Sequence, residues 1–240
     1  MSASQKPSGK LYLIPVPLVE GLVVSLPAYW QPLVHQLDYF VVERAKTARH
    51  FLRGIDYPGP LQEVQMAELN EHSKASDIPS LLQPLLEGRS AGLLSEAGCP
   101  GVADPGAQLV AAAHQHGVEV IPLVGPSSLL LALMASGMNG QRFAFQGYLP
   151  ARKPELMQTL RRLEQQVVKH NETQLFIETP YRNMPTLETL FQSLSPDVKL
   201  CIAVDLTAPT QWIATKRIAE WRREKLPDLH KRPAVFVLGR

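Results

Sequence analysis

The stretch LLSEAGCPGVADPG, residues 93–106, decides the fold of this chain. An apolar run at Leu93 and Leu94 passes directly into small, turn-forming residues that hold two carboxylates, Glu96 and Asp104. Glycine lets a backbone approach a ligand closely, and proline holds a loop in one shape. The pattern therefore predicts a binding loop at the end of a strand. An ordinary strand-to-helix turn is the alternative that this stretch alone leaves open.

Short apolar runs alternate with helix-like stretches on both sides of this loop. The apolar runs are LYLIPV, YFVVE, AGLLS and VEVIPLV, and the helix-like stretches are ARHFLRG, Asp104 to His116 and Ser127 to Ser136. Strand followed by helix, repeated along the chain, is typical of a parallel α/β sheet. We therefore predict an N-terminal α/β domain over residues 10–124, with ligand-binding loops at the carboxyl ends of its strands.

The pattern changes after Gly137. Strand-like segments RFAFQGYL, TQLFIE, KLCIAVDL, QWIA and AVFVLG surround two helical stretches, one from Pro154 and one from Arg182 to Leu194. The first helix carries Leu156, Leu160, Leu163 and Val167 on one face, which indicates a core-facing stripe. The pattern of this half predicts a C-terminal α/β domain over residues 125–240 with a mixed sheet. We place the hinge between the two domains around Gly125 and Pro126.

Composition narrows the class of protein. The chain has 240 residues, of which 45% are hydrophobic, so it can bury a normal core. Its two cysteines, Cys99 and Cys201, lie far apart, which predicts no disulfide framework and favours a reducing, cytoplasmic compartment. The seven histidines show no metal-binding spacing. We expect no metal, no signal peptide and no membrane span.

Charge is shared unevenly along the chain. Residues 1–124 carry a net charge of −4, whereas residues 125–240 carry +6. The second half is therefore expected to meet a polyanion such as RNA. Solvated helix faces are the alternative explanation of its basic pairs.

Two common nucleotide-binding motifs are missing from the sequence. Ser127 and Ser128 follow Gly125 and Pro126 at the start of an apolar helix, but no P-loop lysine follows them. No G-x-G-x-x-G follows the first strand, which argues against a nicotinamide-binding half. One serine is expected to cap the helix, and its neighbour can hydrogen-bond a ligand.

Several segments together resemble a known family. LLSEAGCPGVADPG, IPLVGPSSLLLALMASG, RFAFQGYLP, LFIETPYR and AVDLTAP occur in its order and spacing. The chain resembles the tetrapyrrole methylase superfamily of S-adenosylmethionine-dependent methyltransferases, and within it the ribosomal RNA small subunit methyltransferase I group, which methylates a ribose 2′-hydroxyl. The similarity covers about residues 10–240.

The resemblance implies two α/β domains with S-adenosylmethionine in the cleft between them, and a homodimer. Ser95, Glu96, Ala97 and Gly98 match the family's Ser-Asp-Ala-Gly loop, which holds the methionine part. The residues that the resemblance assigns to the cofactor are Pro15, Ser95, Glu96, Ala97, Gly98, Val102, Asp104, Ser127, Ser128, Ile177, Leu206, Pro233 and Ala234.

Two segments depart from the family pattern. The family's Thr-Pro-Ile-Gly-Asn-Leu is replaced by residues 16–21, VPLVEG, or by the overlapping register from Pro15. Its Glu-Asp-Thr-Arg becomes residues 43–46, ERAK, which turns an acidic segment basic. Both segments lie on the substrate side in the family, so the acceptor is less firmly indicated than the cofactor.

The resemblance implies methyl transfer to a ribose 2′-hydroxyl of RNA, with the ribosomal small subunit as the expected partner. The hydroxyl proton must leave near the transition state, and Glu178 or Glu96 is the candidate catalytic carboxylate that accepts it. A methyltransferase of a small molecule or tetrapyrrole, and a non-catalytic cofactor-binding module, remain as alternatives.

Overall fold

The computed structural model describes residues 8–240. The chain divides into two compact units, and the division falls between Ser127 and Ser128. Each unit contains its own five-stranded sheet and its own hydrophobic clusters.

The first unit alternates strands and helices. Its strands are β1 (Lys10–Ile14), β2 (Tyr39–Val42), β3 (Gln65–Glu68), β4 (Ala91–Leu94) and β5 (Glu119–Pro122). Its helices are α1 (Gln31–Val34), α2 (Ala45–Gly54), α3 (Ile78–Leu86) and α4 (Gly106–Gln115). The strand order is β3-β2-β4-β1-β5, and every pairing is parallel. The prediction of a parallel sheet in this half is confirmed.

Both faces of this sheet are covered by packed side chains. Successive strand residues point to opposite sides, so each strand contributes to two clusters. Phe40 and Val42 pack in the cluster that contains Phe51 of α2. Tyr39 and Val41 pack in the other cluster, which contains residues of α3 and α4. Burial on both faces explains why these strands read as continuous apolar runs.

The second unit contains a mixed sheet, as the sequence predicts. Its strands are β6 (Phe143–Tyr148), β7 (Thr173–Ile177), β8 (Lys199–Val204), β9 (Trp212–Arg217) and β10 (Ala234–Gly239). Its helices are α5 (Ser128–Ser136), α6 (Lys153–His170), α7 (Asn183–Ser193) and α8 (Ile218–Trp221). The order is β6-β7-β10-β8-β9; only β6 and β7 pair in parallel.

The leucine stripe of α6 is buried as expected. Leu156, Leu160, Leu163 and Val167 all belong to the main cluster of this unit. The helix ends at His170, and the next residue, Asn171, has a left-handed backbone, a conformation that asparagine tolerates. None of the helices in residues 8–240 is long and apolar enough to cross a membrane.

Three elements of the first unit, the short helix α1, strand β3 and helix α3, have no counterpart in the sequence prediction. Strand β3 reads QMAE and is an edge strand, so it lacks the apolar run that marks the central strands. Helix α3 contains Pro84, a residue that usually ends a helix. Its leucines Leu81, Leu82 and Leu85 are nevertheless buried, and this packing stabilises the helix.

Candidate active site

The carboxyl ends of three neighbouring strands meet at one edge of the first unit. Ile14 of β1 and Val42 of β2 both pair with Leu94 at the end of β4. The segments that follow these residues begin with Pro15, Glu43 and Ser95, so parts of the chain that are far apart in sequence lie together. In open parallel sheets this edge is where ligands bind.

The loop after β4 is fastened to the end of β1. Gly98 and Val16 exchange two backbone hydrogen bonds, with N···O distances of 2.9 and 3.1 Å. The backbone of Gly98 is left-handed, with φ at +75°, a conformation that favours glycine. The Ser95 hydroxyl donates to the carbonyl of Gly98 at 3.3 Å and lies 3.4 Å from that of Ala97. This turn, which the sequence assigns to the cofactor, therefore has a fixed shape.

Asp104 closes the distal part of the same loop. Its carboxylate accepts the N–H of Gly101 at 2.8 and 2.9 Å and the N–H of Gly106 at 2.7 Å. Burial raises the pKa of Asp104, and these two backbone donors oppose the rise. Val102 lies exposed at the loop tip. Asp104 thus shapes the loop through its backbone.

Two glutamates contact each other where β2 and β4 end. The Glu96 N–H donates to Glu43 Oε1 at 3.2 Å, and the Glu96 carboxylate accepts the Thr47 hydroxyl at 3.2 Å. Arg44 lies 4.0 Å from the same carboxylate. Burial raises the pKa of Glu43, and the nearby charges of Asp104 and Glu96 raise it further. Glu43 was not among the predicted site residues, although a carboxylate directly after a buried strand is the signal that marks it.

These strand ends border a cleft of about 750 Å³ within the first unit. A volume of roughly 300–1,000 Å³ is usual for small-ligand sites. Ser95 and Glu96 line it on one side, and Val16, Leu18 and Val23 supply apolar walls. The basic residues that line it are Arg44, Lys46, Arg49, His50 and Arg53.

The segment that leads out of β5 packs tightly on the end of β1. A Cβ at Gly125 would overlap the ring of Pro15, so only glycine fits there. The Pro126 carbonyl lies 3.4 Å from the Cys99 sulfur. Ser127 is the last residue of the first unit and Ser128 the first of the second, and both are partly buried.

A second group of predicted residues lies at one edge of the sheet in the second unit. Strand β10 runs antiparallel to β7 and β8, so its start lies beside their ends. The Asp205 N–H donates to the Pro233 carbonyl at 2.9 Å. This arrangement brings together four residues that the family resemblance assigns to the cofactor, namely Ile177, Leu206, Pro233 and Ala234.

Thr207, which the sequence prediction did not include, has two unusual features at this edge. Its φ is +73°, a costly conformation for a β-branched residue. Its hydroxyl is buried and has no hydrogen-bond partner among residues 8–240. A buried hydroxyl without a partner costs free energy unless a ligand or water satisfies it. Thr207 lies in the segment AVDLTAP, which contributes to the family resemblance, but nothing in that segment predicts its backbone conformation.

Glu178 occupies a closed environment. Its side chain is 0% exposed, and its carboxylate accepts from Arg182 at 2.9 Å, from the Thr186 hydroxyl at 3.2 Å and from the Thr179 N–H at 3.2 Å. Burial raises the pKa of Glu178, and the charge of Arg182 opposes the rise. Arg182 also donates to the carbonyls of Leu149 and Pro150. The ion pair of Glu178 with Arg182 therefore links the end of β7 to the end of β6.

Metal-binding residues do not cluster in the part of the chain that the structure describes. Residues 8–240 contain no group of three or more His, Cys, Asp or Glu side chains placed to hold a metal ion. Asp205, the carboxylate at the end of β8, forms an ion pair with Arg232 at 2.8 Å.

Curated relatives identify the family. Proteins named ribosomal RNA small subunit methyltransferase I are similar to this chain along most of its length. The relative from Vibrio cholerae is 29% identical over 95% of this chain and 75% of its own length. The one from Synechocystis is 30% identical over 83% of this chain and 67% of its own length. The chain belongs to the ribosomal RNA small subunit methyltransferase I family.

Solved structures share the fold of this ribosomal RNA small subunit methyltransferase I family member. The methyltransferase CobJ matches with a TM-score of 0.63 and 20% identity over 97% of this chain and 94% of that one. A uroporphyrin-III C-methyltransferase from Thermus thermophilus, complexed with S-adenosylhomocysteine, matches with a TM-score of 0.55 and 18% identity over 96% and 97%. No protein-family model matches the chain.

Proposed function

We propose that this protein is an S-adenosylmethionine-dependent methyltransferase that modifies a ribose 2′-hydroxyl of small-subunit ribosomal RNA. The observation that carries the proposal is the loop of residues 95–98, fixed against Val16 beside a cleft that can hold a nucleotide. The names of the relatives supply the reaction and the substrate class.

The residues present fit the cofactor in chemical type. The turn through Gly98 presents fixed backbone groups to the methionine part of the cofactor. In the second unit, Thr207 lies next to Leu206 in sequence, and its buried hydroxyl, which has no partner among residues 8–240, can donate a hydrogen bond to a ligand. S-adenosylmethionine supplies an electrophilic methyl group, and the protein supplies alignment.

We assign proton acceptance to Glu96. Its carboxylate lines the cleft and its side chain is 34% exposed, whereas the carboxylate of Glu178 is enclosed by donors. A base must lie within hydrogen-bond reach of the proton that it removes. Glu178 accordingly acts through Arg182 as a positioning residue.

Two measurements test the proposal. Calorimetry with S-adenosylmethionine measures cofactor binding, and transfer of tritiated methyl groups to total RNA from cells that lack the gene measures turnover. Nuclease mapping then locates the label on ribose. We expect binding and labelled 2′-O-methyl ribose in small-subunit RNA. Failure to bind the cofactor, or label on a tetrapyrrole but not on RNA, contradicts the proposal.

Glu96→Gln provides the test of the base, and Glu63→Gln is its matched control. Glu63 is an exposed glutamate of the same unit that does not line the cleft. We expect Glu96→Gln to lower kcat by about 10² to 10⁴, the usual contribution of general base catalysis. A kcat that is equal in the two variants contradicts the assignment.

We further propose a homodimer in the cytoplasm, where ribosomal RNA is found. On α5, Leu130 and Met134 are one turn apart and are 52% and 78% exposed, which supports a partner for this face. Light scattering on the purified protein measures the mass. We expect twice the chain mass, and a reduction to the chain mass for Met134→Glu.

A further inference from the structure

One face of α2 carries a row of basic side chains toward the cleft of the first unit. Lys46, Arg49, His50 and Arg53 are exposed and recur at the three- and four-residue spacing of one helix face. The opposite face of the helix is buried through Ala48, Phe51 and Leu52. Burial of this face therefore determines that the opposite face of α2, which carries the basic residues, is turned outward.

Three of these cations are not neutralised locally. His50 lies 3.8 Å from Glu20, and Arg44 lies 4.0 Å from Glu96. Lys46, Arg49 and Arg53, by contrast, have no carboxylate within salt-bridge distance among residues 8–240. Placing unpaired cations along a cleft costs free energy through mutual repulsion, and a bound anion removes that cost.

The row is long enough to contact more than one phosphate group. Residues 46 and 53 are separated by seven residues, or about 10 Å along the helix axis, which is longer than a single phosphate group. Apolar side chains of Leu18 and Val23 line the same cleft and can contact a base or ribose. Glu96 also lines it, so a strand that binds the cations passes the proposed base.

We propose that Lys46, Arg49 and Arg53 bind consecutive backbone phosphates of a single-stranded RNA acceptor in this cleft. The inference rests on the proposed function and adds to it the binding site of the acceptor. It also moves the main RNA contact to the half of the chain that is net negative, although the sequence indicates the positive half. Guanidinium groups suit this role because they bind phosphate oxygens in pairs.

The test compares two triple variants of the full chain. Lys46→Gln, Arg49→Gln and Arg53→Gln together remove the row. Lys74→Gln, Lys169→Gln and Lys199→Gln remove the same charge from exposed positions that do not line the cleft. The affinity for a fluorescent single-stranded RNA oligonucleotide is measured by anisotropy over a range of salt concentrations. Calorimetry with S-adenosylmethionine and thermal unfolding report on cofactor binding and folding.

We expect the cleft variant to lose at least about tenfold in RNA affinity. The slope of log affinity against log salt should fall by about 2, since each phosphate contact on a single strand contributes about 0.7. Cofactor affinity should stay unchanged. An equal loss in the two variants, or no loss in the cleft variant, overturns the inference. If the cleft variant fails to fold, the single variant Arg49→Gln decides by the same criteria.

The proposed function and this inference fail in different ways. A wild-type protein that does not bind S-adenosylmethionine or methylate RNA removes the proposed function. A triple variant at residues 46, 49 and 53 that methylates RNA as well as the wild-type protein removes only the inference. Competition of uroporphyrin III with the oligonucleotide, together with its methylation, identifies the cleft as a site for a carboxylate-bearing tetrapyrrole and overturns the RNA assignment.

Discussion

The backbone N–H of Glu96 donates a hydrogen bond of 3.2 Å to the carboxylate of Glu43. This contact joins the end of β4 to the end of β2 and sets the position from which the Glu96 side chain reaches the cleft. It also places two carboxyl groups together in a half-buried environment, where burial raises the pKa of Glu43. The free energy of unfolding should therefore depend on pH through the ionisation of Glu43.

Glu43→Gln should stabilise the protein at neutral pH. Because the pKa of Glu43 is raised on folding, its favourable contribution is complete at acid pH and is lost as pH rises through the folded value. Glutamine keeps an acceptor for the Glu96 N–H without the charge. Urea unfolding should show a gain below about 1 kcal/mol at pH 8, since the group is partly solvated, and a smaller gain near pH 4. A gain that is independent of pH contradicts this account.

Asp104→Ala should loosen the loop of residues 95–106. The substitution leaves the amides of Gly101 and Gly106 without their acceptor. We expect a loss of about 1–3 kcal/mol in the free energy of unfolding and faster hydrogen exchange at these two amides. Asp104→Asn is the matched variant, since it retains one acceptor oxygen and should lose less. Amides that stay protected in Asp104→Ala would show that other contacts hold the loop.

Arg182→Ala should be strongly destabilising. It leaves the carboxylate of Glu178 buried without its charged partner, and removal of one member of a buried pair costs about 3–5 kcal/mol. Adding Glu178→Gln should restore part of the loss, because the unpaired charge is then removed. Chemical denaturation of the single and double variants measures the coupling. Strict additivity of the two changes argues against the ion pair as the cause.

Gly125→Ala should disturb the contact between the segment after β5 and the end of β1. The added methyl group would overlap Pro15, and overpacking of this kind typically costs about 1–3 kcal/mol. Gly140→Ala is the control, because a Cβ at Gly140 meets no atom within 4 Å. Thermal unfolding should separate the two variants. Equal melting temperatures would mean that the Pro15 contact yields at little cost.

The apolar runs of the sequence predicted both sheets because burial imposes a repeating pattern on strands and helices. The central strand β4 is buried at all four positions, and α6 buries the stripe that its spacing indicates. Edge strand β3 was not predicted, since one side of an edge strand has no neighbour and QMAE carries no apolar run. Helix α3 was not predicted either, because packing of its leucines outweighs Pro84.

The candidate site was predictable only in part. The turn of residues 95–98 was evident from its glycine and its carboxylate, which are local features. Glu43 and Thr207 were not, because one depends on a contact with residue 96 and the other on a hydroxyl that folding leaves without a partner. Glu178 was expected to line an open site, yet folding surrounds it with Arg182 and Thr186.

The sequence by itself determined the two kinds of sheet, the turn-rich loop after β4 and the resemblance to a methyltransferase family, because these depend on periodicity and on local turn chemistry. Only the tertiary structure decided which residues meet: Glu43 with Glu96, Arg182 with Glu178, and the basic side chains of α2 with the cleft. The physical reason is that strand order and helix packing bring together residues that are far apart along the chain, and their spacing in the sequence does not predict the contact.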